Sequence, residues 1–145
     1  MRDLFKINQL FMAKPTIGQL EREISQRISS LYNTQLGLRP SKVLCHCFDK
    51  EIVVTLEDSV TLVEEALIDG NYRKLAEEVR VSLNKIIKPQ IKALIEEIID
   101  RNVIDVISNS SLATNRTGII AILEQSPAVR NPEAIPKVDL NSISG

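Results

Sequence analysis

The residues best suited to chemistry lie in one short turn, residues 114–118, with the sequence Thr-Asn-Arg-Thr-Gly. Apolar runs at 103–107 and 119–123 flank this turn, so the pattern predicts a β-hairpin that presents an arginine at its tip or edge. A guanidinium group beside hydroxyl groups and a free backbone amide suits the binding of a carboxylate or a phosphate. The alternative is an ordinary hairpin turn whose arginine pairs with an acid or caps a helix end. The candidate anion- or partner-binding residues are Arg116, Thr114, Thr117 and Gly118.

A second group that could do chemistry is Cys45, His46 and Cys47. Because side chains alternate along a strand, the two thiols would point to one face of a sheet and the imidazole to the other. A zinc site needs about four ligands, and the chain has no further cysteine or histidine. We therefore expect no metal site and interpret the two cysteines as small core side chains. A redox role is the alternative, and it would need an exposed, activated thiolate.

No set of residues in the sequence resembles a catalytic centre. His46 could act as a general base, but no nucleophile motif and no positioned acid accompany it. The five glycines are scattered singly and form no phosphate-binding loop. We therefore expect a protein that is not an enzyme, with no catalytic residues and no cofactor.

The first of the elements that would position these groups is a long helix. Thr16 and Gln19 form a capping box, in which each side chain satisfies a free amide of the first turn. Apolar residues then recur at steps of three and four, and Gly37 and Pro40 end the pattern. The spacing predicts a helix over residues 17–36.

A hairpin and a short helix follow. Residues 42–48 and 51–57 are rich in β-forming side chains and predict two strands joined by a tight turn. A second capping box, formed by Thr61 and Glu64, predicts a short helix that residues 69–71 end.

A longer helical pattern continues from there to about residue 100. Because proline lacks an amide hydrogen and clashes with the preceding turn, Pro89 is expected to kink or restart this helix. The first half of the pattern carries apolar residues at helical spacing, namely Tyr72, Leu75, Ala76, Val79, Leu83 and Ile86.

The order helix, hairpin, helices, hairpin predicts an α+β fold, with one four-stranded antiparallel sheet and helices packed on one face. We divide the chain into an N-terminal arm (1–14), a single α+β domain (15–125) and a proline-containing C-terminal tail (126–145). The tail reads as an extended segment that wraps the surface. Short strands leave sheet edges that invite pairing, so we expect a homodimer that continues or covers the sheet.

The N-terminal arm holds two of the three phenylalanines in the chain. One interpretation is a segment that docks on a partner or touches a membrane, with Phe5, Leu10 and Phe11 as the contact residues. The alternatives are a short strand or helix on the domain's own surface, or a disordered terminus.

The composition argues against several classes of protein. A net charge of -1 without a basic stripe, together with few aromatic residues, disfavours nucleic-acid binding. No apolar run approaches the roughly 20 residues that span a bilayer, and the first residues lack the features of a secretory signal. The two cysteines have one residue between them, so a disulfide between them would close no large loop. This favours a reducing cytoplasm.

Three segments of the chain, TIGQLEREI (16–24), GLRPSKV (37–43) and ATNRTGII (113–120), resemble the MpsC-like family of small bacterial proteins. The resemblance covers residues 15–124. The family was formerly a domain of unknown function, and its name comes from a membrane system that translocates sodium and generates a membrane potential. The resemblance implies a small soluble accessory component rather than a pore, and it carries no catalytic residues.

Two functional hypotheses follow. The first is a non-catalytic accessory or regulatory interaction protein, a homodimer that acts beside a membrane-protein complex in the cytoplasm or at the periphery of the inner membrane. The second is a regulatory sensor that binds a small anion through the Arg116 turn.

Overall fold

A computed structural model of the chain describes residues 14–137, which form one layer of helices on one layer of sheet. In chain order the elements are helix α1 (Ile17–Leu36), strands β1 (Lys42–Phe48) and β2 (Glu51–Glu57), helices α2 (Leu62–Asp69) and α3 (Arg73–Ile99), strands β3 (Val103–Ser111) and β4 (Arg116–Leu123), and a 3₁₀ turn (Pro132–Ala134). The two predicted hairpins and the predicted α+β class are confirmed.

The four strands form one antiparallel sheet in the order β1-β2-β4-β3. The two hairpins therefore meet through their second strands, and β2 and β4 lie at the centre. Alternate residues of these strands are buried against the helices, as the period of two along a strand requires. The core joins this sheet face to α1 and the second half of α3.

Helix α1 begins and ends where the local signals predict. Thr16 and Gln19 make the reciprocal hydrogen bonds of a capping box, and Gly37 ends the helix in the left-handed conformation with φ of 65°. The buried stripe consists of residues at helical spacing, namely Ile17, Leu20, Ile24, Ile28 and Tyr32.

Helix α3 runs without a break through 27 residues, so Pro89 does not restart it, which was one of the two predicted alternatives. Proline removes the hydrogen bond to the carbonyl group of Lys85, four residues earlier. Both Pro89 and Lys85 are exposed, so the unpaired carbonyl group lies on the solvent side of the helix. The buried residues Ile87 and Ile91 hold both sides of the proline on the sheet.

The start of the C-terminal tail completes the core rather than lying loosely on the surface. Val129 and Ile135 are buried in the same cluster as the sheet residues. The side-chain oxygen of Asn131 accepts a hydrogen bond from the amide of Ile17 at 2.9 Å, which ties the tail to the start of α1. The docking residues predicted in the arm, Phe5, Leu10 and Phe11, lie outside the described residues.

Candidate functional site

The turn at residues 114–118 does not bring its four candidate residues to one point. Arg116 and Gly118 belong to the exposed set of β4, whereas Thr117 between them is buried on the helix side of the sheet. Thr114 is exposed at the tip of the hairpin. The structure therefore joins Arg116 with Gly118 and separates them from the Thr117 hydroxyl group, because neighbouring side chains of a strand point to opposite faces.

Arg116 and Gly118 line a shallow groove of about 490 Å³ on the exposed face of the sheet. The guanidinium group lies 3.9 Å from the carboxylate of Glu57, and both side chains are largely in water, so this ion pair is weak. A β-carbon built at Gly118 would meet no other atom within 4 Å, so the glycine forms an unfilled notch in the groove. The other side chains around it come from Thr55, Asn109 and Ser111.

The other half of the turn faces inward and holds the fold together. The Thr117 hydroxyl oxygen lies 2.7 Å from that of Ser59 and 2.8 Å from that of Ser110. The side chain of Asn115 accepts a hydrogen bond from the amide of Val60 at 2.7 Å, and its own φ is 57°. The turn thus anchors the segment between β2 and α2. Asn115 and Thr117, the neighbours of Arg116 on either side, make these contacts.

A buried ion pair lies next to this anchor, and the sequence analysis did not find it. The Arg80 side chain donates to both carboxylate oxygens of Glu64, at 2.8 and 2.6 Å, and to the carbonyl oxygen of Ser59 at 2.8 Å. Arg80 is 3% exposed and Glu64 is fully buried. Such bidentate, fully paired geometry stabilises one arrangement of α2, α3 and the sheet, and it leaves no free charge for a ligand.

One signal for the ion pair was present in the sequence. Arg80 follows Ala76 by four residues and precedes Ile87 by seven, so helical spacing places all three on one side of α3. Glu64 gave no such signal, because its place in a capping box explained it fully. Burial raises the pKa of Tyr32, which also feels the charges of Arg80 and Glu64.

Cys45 and Cys47 are buried core side chains, and His46 is exposed on the opposite face of β1. A hydrogen bond with the Cys47 thiol and burial raise the pKa of Cys45, so its thiol stays protonated at neutral pH. Within residues 14–137, no three or more histidine, cysteine or acidic side chains come together as a metal ion would require.

An apolar stripe that includes exposed side chains runs along the first half of α3. We call Tyr72, Leu75, Val79, Leu83 and Ile86 the α3 stripe. Tyr72, Leu75 and Ile86 are 63%, 45% and 57% exposed, and the other two are half-buried.

The buried side of α3 is formed by residues that come one position after those of the stripe in the sequence. They are Ala76, Arg80 and Ile87, each of which follows a member of the stripe. One residue is about 100° of rotation, so the stripe and the buried side are different faces of the same helix. Of the six apolar residues that the sequence places at helical spacing here, Ala76 alone is buried in the core.

Helix α2 also has two exposed apolar side chains, Leu62 and Val63. Among the helices of residues 14–137, none is long and apolar enough to cross a bilayer.

Comparison with curated proteins and with solved structures found no match. A family model described as "Na+-translocating membrane potential-generating system (MpsC)" matches residues 16–125. The matched residues run from the capping threonine of α1 through the whole sheet, including the 114–118 turn and the buried ion pair. Because the match covers most of the chain, this protein belongs to the MpsC family.

Proposed function

We propose that this protein is a non-catalytic accessory component that binds another protein of a sodium-translocating, membrane-potential-generating system. The family description supplies the system. The observation that carries the binding role is the α3 stripe, because large apolar side chains that stay in water at regular spacing are typical of a protein-binding surface.

The shape of the stripe indicates what kind of partner fits it. Its members recur every three or four residues from 72 to 86, which is the spacing of a helix that packs on another helix. At 1.5 Å per residue the stripe is about 21 Å long, enough for some four turns of a partner helix. We infer that the partner offers an apolar helix of a membrane-system subunit.

The chemistry of the described residues supports a binding role over catalysis. Tyr32 and Cys45 are side chains whose pKa is clearly raised, and both lie in the core. The strongest charged contact, between Arg80 and Glu64, is buried and fully paired. The proposal includes a homodimer located in the cytoplasm, at the periphery of the membrane when the partner is bound.

The docking prediction concerns Leu75 and Ile86. Replacing both with serine is expected to lower capture of the membrane subunit at least tenfold, because two of the three exposed apolar contacts of the stripe are lost. Tagged variants would be mixed with detergent-solubilised membranes, and the captured subunit would be identified by mass spectrometry. The matched control is Ile104→Ser, which removes an equally exposed isoleucine from β3. Equal capture by all three proteins would refute the role of the α3 stripe.

The anion sensor remains as a second candidate, favoured by the groove beside Arg116. The groove is less suited to an anion than the sequence predicts, because the Glu57 carboxylate lies beside the guanidinium group and the Thr117 hydroxyl group faces the core. If the sensor hypothesis is correct, a carboxylate or phosphate metabolite raises the melting temperature. That rise disappears in Arg116→Ala and persists in His46→Ala, and a screen of such anions without any shift would count against the hypothesis.

A further inference from the structure

The sheet has a second face, which the described helices leave uncovered. In β2 the residues Ile52, Val54 and Leu56 are buried under the helices, and the alternate residues point the other way. We call this second side the open face; its centre is formed by Val53, Thr55 and Glu57 of β2 and by Arg116, Gly118, Ile120 and Ile122 of β4.

The composition of β4 indicates that the open face is covered in the working protein. Residues 119–123 form a continuous apolar run, with Ile120 and Ile122 on the open face. A strand with one face in water alternates apolar and polar residues, whereas a strand covered on both faces is apolar throughout. Leu44 and Phe48 of β1 and Ile107 of β3 extend the same apolar surface to both sides, and all three are exposed.

The strand register shows what fits this face. On the open face the directly opposed residues of β2 and β4 are Glu57 with Arg116, Thr55 with Gly118, Val53 with Ile120 and, at the end of the strands, Glu51 with Ile122; the first three pairs form the centre of the face. Consider a second copy related by a two-fold axis that runs parallel to the strands, above the open face and midway between β2 and β4. This rotation would place each of these residues over its register partner in the second copy. Two sheets packed in this way are aligned and about 10 Å apart, as in a β-sandwich.

Each of the three pairs is complementary in this arrangement. Glu57 would face Arg116 of the second copy, and Arg116 would face its Glu57, which gives two ion pairs shielded from water. Thr55 would enter the notch left at the second copy's Gly118, where a side chain meets no atom of its own chain. Val53 would pack against Ile120, which brings apolar surface against apolar surface.

We propose that the chain forms a two-fold symmetric homodimer by packing its open face on the open face of a second copy. Self-complementary charge and shape are what an isologous interface requires. This inference rests on the homodimer included in the proposed function and specifies its interface; it is independent of docking at the α3 stripe, which belongs to the helix layer on the other side of the sheet.

The decisive experiment reverses the charges one at a time and then mixes the variants. By sedimentation equilibrium over a concentration series, the native chain is expected to reach twice its 16.2 kDa mass. Arg116→Glu and Glu57→Arg are each expected to raise the dimer dissociation constant by roughly tenfold or more, because like charges then face each other across the interface.

Mixing the two variants is expected to restore the dimer. One variant carries two carboxylates in the central pair and the other carries two guanidinium groups, so each charge regains an opposite partner across the two-fold axis. Neither variant retains the ion pair within its own chain. Recovery therefore reports contacts between chains, and no change within a single chain can produce it.

A shape variant tests the same interface without changing charge. Gly118→Val fills the notch, and the chain has space for it and gains a β-forming residue, so the monomer is expected to stay folded. The dimer is expected to weaken as strongly as in the charge variants. The control Arg73→Glu reverses an equally exposed charge that pairs with Glu77 on α3, and it should leave the dimer unchanged.

Three results would overturn the proposal. A native chain that stays monomeric at the highest concentration excludes a second copy on the open face. If removal of residues 1–13 then produced a dimer, the arm would be the occupant of that face. A dimer that survives both Arg116→Glu and Gly118→Val forms through another surface. Single variants that weaken the dimer but do not recover on mixing would contradict the two-fold arrangement.

Discussion

The Arg80→Met protein is expected to lose about 3–5 kcal/mol of its free energy of unfolding, measured by urea denaturation followed by circular dichroism. Methionine retains much of the apolar stem of arginine but leaves the Glu64 carboxylate without a counter-charge. That carboxylate is fully buried, so water cannot replace the guanidinium group. The carbonyl oxygen of Ser59 also loses its donor, which weakens the junction between β2 and α2.

Two comparisons identify the cause of that loss. In the Arg80→Met background, Glu64→Leu should recover much of the stability, because a matched apolar pair replaces an isolated buried charge. Arg73→Met breaks an exposed pair with Glu77 and should cost no more than about 0.5 kcal/mol. A loss below about 1 kcal/mol for Arg80→Met would mean that the pair is not buried as the structure describes.

The second large effect is a difference in stability between substitutions at two neighbouring residues of α3, Ile86 and Ile87. Ile87→Ala is expected to cost about 2–5 kcal/mol, because it leaves a cavity in the core where the side chain is 1% exposed. Ile86→Ala should change stability by less than about 0.5 kcal/mol, since its side chain is in water and alanine is the better helix former. Thermal or urea unfolding of both variants measures the difference directly.

This pair of variants also distinguishes folding from docking. If the α3 stripe binds a partner, Ile86 matters for capture of the membrane subunit and hardly at all for the stability of the isolated chain. Ile87 should show the reverse pattern once the fraction of folded protein is taken into account. Equal costs for the two substitutions would place the stripe in the core and remove the observation on which the proposed function depends.

Much of the fold could be predicted from the sequence because its signals are local. A capping box needs only a threonine and a residue three positions later, and both boxes, at Thr16 and Thr61, occur in the structure. The strand bounds of the first hairpin follow from a run of β-forming residues around a two-residue turn. The alternation that buries Cys45 and Cys47 and exposes His46 is likewise a property of any strand.

The candidate site depended on packing, and the sequence located it only in part. The 114–118 turn was found, but its residues were taken as one cluster. Strand alternation sends Arg116 to the open face, while Thr117 is buried beside Ser59, 58 residues away in the chain. The spacing of residues along the sequence does not reveal contacts between residues so far apart in the chain. The hydrogen bonds that join the hairpin to the β2–α2 segment could therefore be found only in the tertiary structure.

By itself, the sequence determined the α+β class, both hairpins, the capped helices and the family, since these follow from propensity, periodicity and short motifs. The tertiary structure alone decided which face of α3 is buried. In the first half of that helix two faces carry apolar residues, and the buried one is the face that continues into Ile87 and Ile91 and on which Arg80 pairs with Glu64 and the Ser59 carbonyl group. In the same packing Pro89 stays within the helix, and the α3 stripe and the open face stay exposed.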